Sequence, residues 1–270
     1  MTIELTIRLF ATLKDRAGSD RIRVALPDNP TTVAALLDAV RAGYPALAPA
    51  LPSALVAVNR AFAGPTTPVN AADEVALFPP VSGGQLPLPP GEGRGEGHDL
   101  PTPLPMGEGW GEGHAFPHPT YFAVTSEPLD IDAVHARLGG PEIGAIVSFT
   151  GFVRGQTQRD GLPAETMHLD YEAYEDMAEE KMAQIAREIW ARWPEVRGVA
   201  LVQRLGRLTV GQVTTFVACA GRHRDQGVFE AARYGIDRLK EIVPVWKKEV
   251  GADRSVWVEG HYRPTPADNL

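Results

Sequence analysis

The first 84 residues alternate between apolar and polar positions in the way that half-buried strands do. Every second residue between Ile3 and Leu9 is apolar, which is the period of two expected of a strand with one buried face. Further along, a helix capped by Thr31 or Thr32 is expected to bury one apolar face and to end near Gly43. The predicted elements are strands at 3–9, 21–26, 55–59 and 74–78 and helices at 10–17 and 33–43. This order predicts a small α+β domain with a helix lying across a mixed sheet.

From Thr120 onward, strands and helices are interspersed without regular βαβ alternation. The predicted strands lie at 121–125, 143–150, 166–174, 198–204, 212–220 and 245–249, and the predicted helices at 130–138, 176–193 and 226–242. Residues 120–270 are therefore expected to form a second α+β domain.

Residues 85–119 differ from both flanking regions. Proline, glycine and glutamate dominate, no apolar periodicity is present, and residues 87–98 recur with few changes as 103–114. Two copies do not make a solenoid, which needs about three stacked units. The sequence thus predicts residues 1–84 and 120–270 as folded domains joined by a disordered linker.

Composition narrows the function classes. The 270 residues are 44% hydrophobic and 22% charged, with a net charge of −8, which argues against broad nucleic-acid binding. Cys219 is the only cysteine, so a disulfide framework within one chain is excluded. No apolar run approaches the roughly 20 residues of a membrane span, and Met1–Leu5 has no basic segment of a signal peptide. A cytoplasmic protein that binds no membrane is expected.

Three clusters in the second domain carry candidate chemistry. The first ends in Phe152-Val153-Arg154 after a strand, and the second is Arg222-His223-Arg224 before a helix, where basic side chains and free amides suit a phosphate. The third runs from Asp237 to Glu249 and contains several lysines. Each cluster has a structural alternative, since such residues are often solvated or paired with neighbouring acids. In an extended run, Lys247 and Lys248 should face opposite ways, so one of them can face a pocket.

Two family resemblances follow from these motifs. Arg8-Leu9-Phe10-Ala11, Ala57-Val58-Asn59 and the run from Asp73 to Gly84, ending Phe-Pro-Pro-Val-Ser-Gly-Gly, resemble the small, ubiquitin-like subunit of molybdopterin synthase. Residues 121–260, through Phe-Thr-Gly-x-Val-Arg, His-Arg and Lys240 to Glu249, resemble the large subunit of the same family. The loop from His223 to Phe229 is one residue longer than usual in that family, so either Arg222 or Arg224 can occupy its phosphate site, and Arg224 is favoured.

The resemblance implies a β-grasp first domain and a sulfurtransferase. Gly84, adenylated by an adenylyltransferase and loaded by a sulfur donor, would carry a thiocarboxylate to cyclic pyranopterin monophosphate and form the molybdopterin dithiolene. Lys240 and Lys247 would act as general acid or base, and a homodimer through the second domain is implied, with no metal or cofactor. The implied substrate-binding residues are Phe152, Val153, Arg154, His223, Arg224, Lys240, Lys247, Lys248 and Glu249.

One departure from the family concerns Gly84, which is followed here by Gln85 instead of being a C-terminus. A peptide-bonded glycine has no free carboxylate to adenylate, so activity is expected to require cleavage after Gly84. Two alternatives remain open: an uncleaved fusion that binds the pterin phosphate without turnover, and a ubiquitin-like conjugation protein that uses Gly83-Gly84 as its tail.

Overall fold

The computed structural model describes residues 3–81, 116–156 and 161–269. Gly83, Gly84 and residues 85–115 of the predicted linker lie outside the described residues, as do His98 and His114. At the C-terminal end of the predicted linker, the Phe116 ring packs against those of Phe122 and Trp190, with centroids 5.4 and 5.7 Å apart. The linker boundaries stay a prediction.

The first domain is a mixed five-stranded sheet crossed by one amphipathic helix. The strand order is β2-β1-β7-β4-β5, with β1 and β7 parallel and the other pairs antiparallel. Helix α2 is capped by the Thr32 hydroxyl and buries Val33, Leu36 and Val40 against this sheet. The elements are β1 (Ile3–Leu9), α1 (Ala11–Ala17), β2 (Arg21–Leu26), β3 (Thr31–Thr32), α2 (Val33–Gly43), β4 (Leu55–Val58), β5 (Ala61–Ala63), β6 (Pro68–Val69) and β7 (Val75–Phe78).

The described residues of the second domain form two four-stranded sheets and three helices. The elements are β8 (Thr120–Thr125), α3 (Ile131–Leu138), β9 (Ala145–Phe152), β10 (His168–Ala173), α4 (Glu175–Arg192), β11 (Val196–Arg204), β12 (Gly206–Thr209), β13 (Val213–Gly221), α5 (Val228–Ile242), β14 (Val245–Val250), β15 (Ser255–Val258) and a 3₁₀ turn at Pro266–Asn269. The strand orders are β8-β11-β13-β9 and β12-β10-β14-β15. Among the described residues, no helix has the length and apolar character needed to cross a membrane.

Alternation along β11 and β13 separates two cores. Ala200 and Val202 face the cluster that includes α3, whereas Val199 and Leu201 face the cluster that includes α4 and α5. Successive strand residues point to opposite faces, so both faces of this sheet are covered by helices. The predicted α+β character of both domains is confirmed.

The sequence patterns missed the shortest strands. Strands β6 and β12 lie in segments for which no strand was predicted. Strands β3, β5 and β15 were also missed, and β9 extends two residues beyond the predicted strand end at Thr150, through Gly151 and Phe152. Elements of two to four residues carry too little periodicity to predict, because pairing with a distant segment forms them.

The first domain docks on the second through an aromatic cluster. Phe10 stacks between Tyr174 and Trp246, with ring centroids 5.2 and 5.1 Å away, and Phe78 lies 5.3 Å from Trp246. Phe10, Phe78 and Trp246 belong to one buried cluster that also contains most of the second domain's core. The two domains of one chain thus share a continuous apolar core.

Polar contacts surround this aromatic cluster. The β4–β5 hairpin turns at Asn59 and Arg60, both with positive φ, and Arg60 Nη1 lies 2.7 Å from a carboxylate oxygen of Glu180. At the C-terminal turn, the Asn269 side chain donates to the Phe62 carbonyl at 2.7 Å and accepts from the Phe62 amide at 2.8 Å. These contacts satisfy backbone groups on β5, an edge strand of the first sheet.

Candidate active site

A cavity of about 160 Å³ lies in the second domain, where residues of both sheets meet the end of α5. Its lining residues are Phe149, Gly151, Phe152, Arg154, Thr166, Leu169, Tyr171, Thr214, Thr215, Lys240, Lys247 and Glu249. Three of these side chains are cationic and one is a carboxylate, so the cavity suits an anionic ligand with further polar groups.

Lys240 reaches the cavity because α5 approaches β13 closely. A Cβ at Gly235 would lie 3.0 Å from Val217 Cγ1, so a larger residue there would push the helix away from the strand. Lys240 follows in the last turn of α5. Burial, and secondly the positive charge of Lys247, lower the pKa of Lys240 from 10.5 to about 7. Near neutral pH, Lys240 can therefore either donate or accept a proton.

Lys247 and Lys248 lie on opposite faces of β14, as alternation predicted. Lys247 lines the cavity, whereas Lys248 Nζ lies 3.2 Å from Asp15 Oδ2 in the first domain and 5.4 Å from the centroid of the Trp257 ring. The structure does not place Lys248 in the cavity lining, where substrate binding was predicted. Its position indicates a role in the docking of the two domains.

The three consecutive residues Phe152, Val153 and Arg154 do not all face the cavity. Phe152, 54% exposed, and Arg154, also exposed, both line the cavity. Val153 is 3% exposed and packs in the core, while its backbone exchanges hydrogen bonds with Gln212 and Gly211 at 3.0 and 2.9 Å. Val153 thus anchors the segment between two residues that face the cavity, and the structure does not place it at the predicted substrate contact.

Glu249 and Tyr171 form part of the cavity wall. Glu249 is 4% exposed and accepts a hydrogen bond from the Thr166 hydroxyl. Burial raises the pKa of Tyr171 to about 12, an effect opposed by its hydrogen bond with Thr214. Tyr171 therefore stays protonated at neutral pH and offers the cavity a neutral hydroxyl.

Behind Lys240 lies a buried hydrogen-bonded chain that sequence reasoning missed. Lys240 Nζ donates to Thr215 Oγ1 at 3.2 Å, and Thr215 Oγ1 donates to Gln203 Oε1 at 2.7 Å. Thr215 and Gln203 are 1% and 0% exposed. The sequence feature that could have revealed this chain is the occurrence of Gln203 and Thr215, both polar, in line with apolar core residues of β11 and β13.

His223 and Arg224 do not lie in this cavity. In the β9–β13 pair, Ala145 pairs with Gly221 at one end and Phe152 pairs with Val213 at the other. His223 and Arg224 follow Gly221, so within one chain they lie at the opposite end of the sheet from Arg154. A strand of this length separates its ends by roughly 20–25 Å.

The two candidate phosphate-binding arginines differ in their partners. Arg222 Nη2 lies 2.7 Å from Glu142 Oε2, and this pairing raises the pKa of Arg222 and lowers that of Glu142. Arg224 is exposed and has no hydrogen bond or ion pair within the described ranges. This difference favours Arg224 as the anion-binding group, which stays a prediction.

The end of the first domain is held beside the start of β14. Pro79, Pro80 and Val81 are buried, and Trp246 Nε1 donates a hydrogen bond to the Pro79 carbonyl at 2.9 Å. Trp246 precedes Lys247, so the chain leaves the first domain next to a strand that lines the cavity. Gly84 comes three residues after Val81, and three extended residues span about 10 Å.

Across residues 3–81, 116–156 and 161–269, no group of three or more His, Cys, Asp or Glu side chains is placed to hold a metal ion. His118, from the predicted linker, lies next to Arg197, and burial together with this arginine lowers the pKa of His118.

Comparison with known families assigns both halves of the chain. The family model described as MoaE protein matches residues 124–242, and the ThiS family model matches residues 7–84. The chain is a fusion of a ThiS-family domain and a MoaE-family domain. The predicted resemblance to the small and large subunits of molybdopterin synthase is thus confirmed. The chain is a protein of molybdenum-cofactor biosynthesis.

Named relatives resemble the MoaE part. The molybdopterin synthase catalytic subunit of Halalkalibacterium halodurans is 45% identical over 137 residues, which cover 51% of this chain and 84% of that protein. The catalytic subunit from Nostoc is 44% identical over 138 residues, covering 51% of this chain and 81% of that protein. A solved structure of molybdopterin synthase from Staphylococcus aureus is 38% identical, with a TM-score of 0.47, and the match covers 51% of this chain and 96% of that one.

Proposed function

We propose that the chain is a molybdopterin synthase that transfers sulfur from a Gly84 thiocarboxylate to cyclic pyranopterin monophosphate. The observation that carries this proposal is Lys240, a lysine with a pKa of about 7 beside Lys247 in a cationic cavity. The docked tail of the first domain leaves beside the strand that carries Lys247. A sulfur carrier and a proton-transfer site thus meet in one chain.

The chemistry assigns a separate task to each group. The thiocarboxylate sulfur attacks a carbon of the substrate, and a C–O bond at that carbon breaks, with the oxygen leaving on the opened phosphate or as water. The new C–S bond links the carrier to the pterin. Water then attacks the acyl carbon of Gly84, the acyl–sulfur bond breaks, and the carrier leaves as a carboxylate while sulfur stays on the product. Lys240 and Lys247 act as general acid or base in phosphate opening and loss of water. The two sulfurs of a dithiolene require two loaded carriers.

The first domain must be cleaved after Gly84 in this proposal. Gly84 is bonded to Gln85, and an amide carbonyl cannot be adenylated and thiolated in place of a carboxylate. Once cleaved, the first domain can dissociate, be adenylated by an adenylyltransferase and receive sulfur from a sulfur donor. It can then dock again on the second domain through the aromatic cluster.

A second copy of the chain would complete the anion site. Strand β9 is an edge strand, and Phe149 and Phe152 on it are 42% and 54% exposed. Antiparallel pairing of β9 with β9 of a second copy would bring the end near Gly221 of one copy to the end near Arg154 of the other. Arg224 of one copy would then supply a cation, and His223 a hydrogen-bonding side chain, to the cavity of its partner. The predicted homodimer is therefore part of the proposal.

Replacing Lys240 tests the proposed chemistry. With an adenylyltransferase, a sulfur donor and the pterin substrate, the wild-type protein cleaved after Gly84 should form dithiolene product. Lys240→Ala should lower the rate by about 10²–10⁴-fold, the usual contribution of a general acid or base. Lys240→Arg should be similarly inactive, because arginine keeps the charge but does not release its proton. Wild-type rates in Lys240→Arg would contradict proton transfer by this residue.

The continuous core between the domains favours a second function, an uncleaved fusion that binds the pterin phosphate without turnover. In that case the docked first domain would be a permanent part of the second. Binding of the substrate by the intact chain, with no product even after cleavage following Gly84 and loading with sulfur, would support this alternative.

A further inference from the structure

The hydrogen-bonded chain behind Lys240 has a fixed direction. Gln203 Nε2 donates to the carbonyls of Arg204 and Thr214, both at 2.9 Å. The opposite orientation of this amide would place an oxygen against two carbonyl oxygens, so Gln203 Oε1 must face Thr215. A carbonyl oxygen only accepts, and the Thr215 hydroxyl therefore gives it its single proton.

The orientation of the Thr215 hydroxyl determines whether Thr215 acts as a hydrogen-bond donor or acceptor toward Lys240. With its hydrogen committed to Gln203, Thr215 Oγ1 can only accept toward Lys240 Nζ, 3.2 Å away. Lys240 must then donate to Thr215 both as an ammonium and as a neutral amine. One N–H of the neutral amine is spent on this contact, which leaves its lone pair and remaining N–H to be directed elsewhere, including into the cavity.

We propose that Thr215 and Gln203 are positioning residues that orient the Lys240 amine toward the substrate. This inference rests on the proposed function of Lys240 as a proton-transfer group. Both positioning residues are buried in strands of the sheet, so they hold the amine from a rigid support. Thr215 is among the residues that line the cavity, whereas Gln203 is not and acts on Lys240 through Thr215.

Other charged and titratable groups also face the cavity. A test of the contact between Thr215 and Lys240 must leave these groups unchanged. Lys247 and Glu249 come from β14, Tyr171 from β10 and Arg154 from the segment after β9. A change confined to Thr215 leaves all four in place. Differences in the titration of Lys240 then report on the contact with Thr215.

The test compares Thr215→Val with Thr215→Ser in the full chain. Valine has nearly the shape of threonine but cannot accept a hydrogen bond, whereas serine keeps the hydroxyl. The acceptor stabilises the ammonium more than the amine, so its loss should lower the pKa of Lys240 by about one unit. The turnover number should fall by about ten- to a hundredfold, because the amine is no longer oriented. Thr215→Ser keeps the acceptor, so its Lys240 pKa and its turnover number should match those of the wild type.

The pKa can be measured without turnover, from the pH dependence of acetylation of Lys240 by acetic anhydride, read by mass spectrometry. If Lys240 in Thr215→Val titrates as in the wild type, the inference is overturned even where activity falls. If Thr215→Val does not fold, Gln203→Leu serves as the second variant and should shift the titration in the same direction. A wild-type protein that makes no product after cleavage following Gly84 and loading with sulfur overturns the proposed function, while the labelling result still decides the contact.

Discussion

Strand β14 presents two different environments on its two faces. On one face, Trp246 and Lys248 contact the first domain through ring packing, a hydrogen bond to Pro79 and an ion pair with Asp15. On the other face, Lys247 and Glu249 line the cavity. The docking face pairs opposite charges around an apolar centre, whereas the cavity gathers like charges that lower the pKa of a lysine. Such a cavity costs stability and is typical of sites that bind or transform ligands.

Removing each lysine of β14 in turn tests whether its two faces differ in function. Lys247→Ala should lower the rate of dithiolene formation by about 10²-fold or more, because it removes a cation from the cavity. Lys248→Ala removes the same charge from the opposite face and should change that rate by less than about threefold. It loses one partly exposed ion pair, worth about 0.2–1 kcal/mol of docking free energy. Equal losses of activity in both variants would contradict the assignment of the two faces.

The docking face is tested by Phe10→Ala. This change removes the ring between Tyr174 and Trp246 and should reduce the free energy of unfolding by about 3–5 kcal/mol. Urea denaturation followed by tryptophan fluorescence measures this loss. Phe229→Ala is the matched control, because Phe229 is 57% exposed, and it should cost less than about 0.5 kcal/mol. Equal effects of the two variants would show that the aromatic cluster does not couple the domains.

The smallest expected effect is a dependence of stability on pH that originates in Lys240. Its pKa is about 7 in the folded protein and 10.5 ordinarily, so between these values the unfolded chain binds the extra proton. Stability should therefore rise with pH in this window, by up to about 1.4 kcal/mol per pH unit, relative to a variant without the group. Lys240→Met should abolish this part of the slope. Denaturation of both proteins at pH 7, 8 and 9 gives the difference, and parallel curves would contradict the lowered pKa.

Long, regular elements could be predicted from the sequence because their periodicity is local. Strand β1 and helix α2 follow directly from the spacing of apolar residues. Strand β12 could not be predicted in this way, because it exists only through pairing with β10. The opposite orientation of Lys247 and Lys248 was likewise local, since alternation along a strand places neighbouring side chains on opposite faces.

The rest of the candidate site depends on register and on contacts between distant strands. The separation of His223 from Arg154 follows from the pairing of β9 with β13, which sequence spacing does not specify. Gln203 and Thr215 lie on different strands. They form a hydrogen-bonded chain with Lys240 only because the fold brings the end of α5 against these strands. The lowered pKa of Lys240 also requires the fold, since it arises from burial and from Lys247.

The central claim is that the first domain carries sulfur on Gly84 to the cavity of the second. The intact mass of the protein purified from its native host tests this most directly. The proposal predicts a light species that ends at Gly84, part of it heavier by the replacement of one oxygen with sulfur. A full-length species alone, in cells that make the molybdenum cofactor through this protein, would contradict the claim and favour the permanently docked fusion.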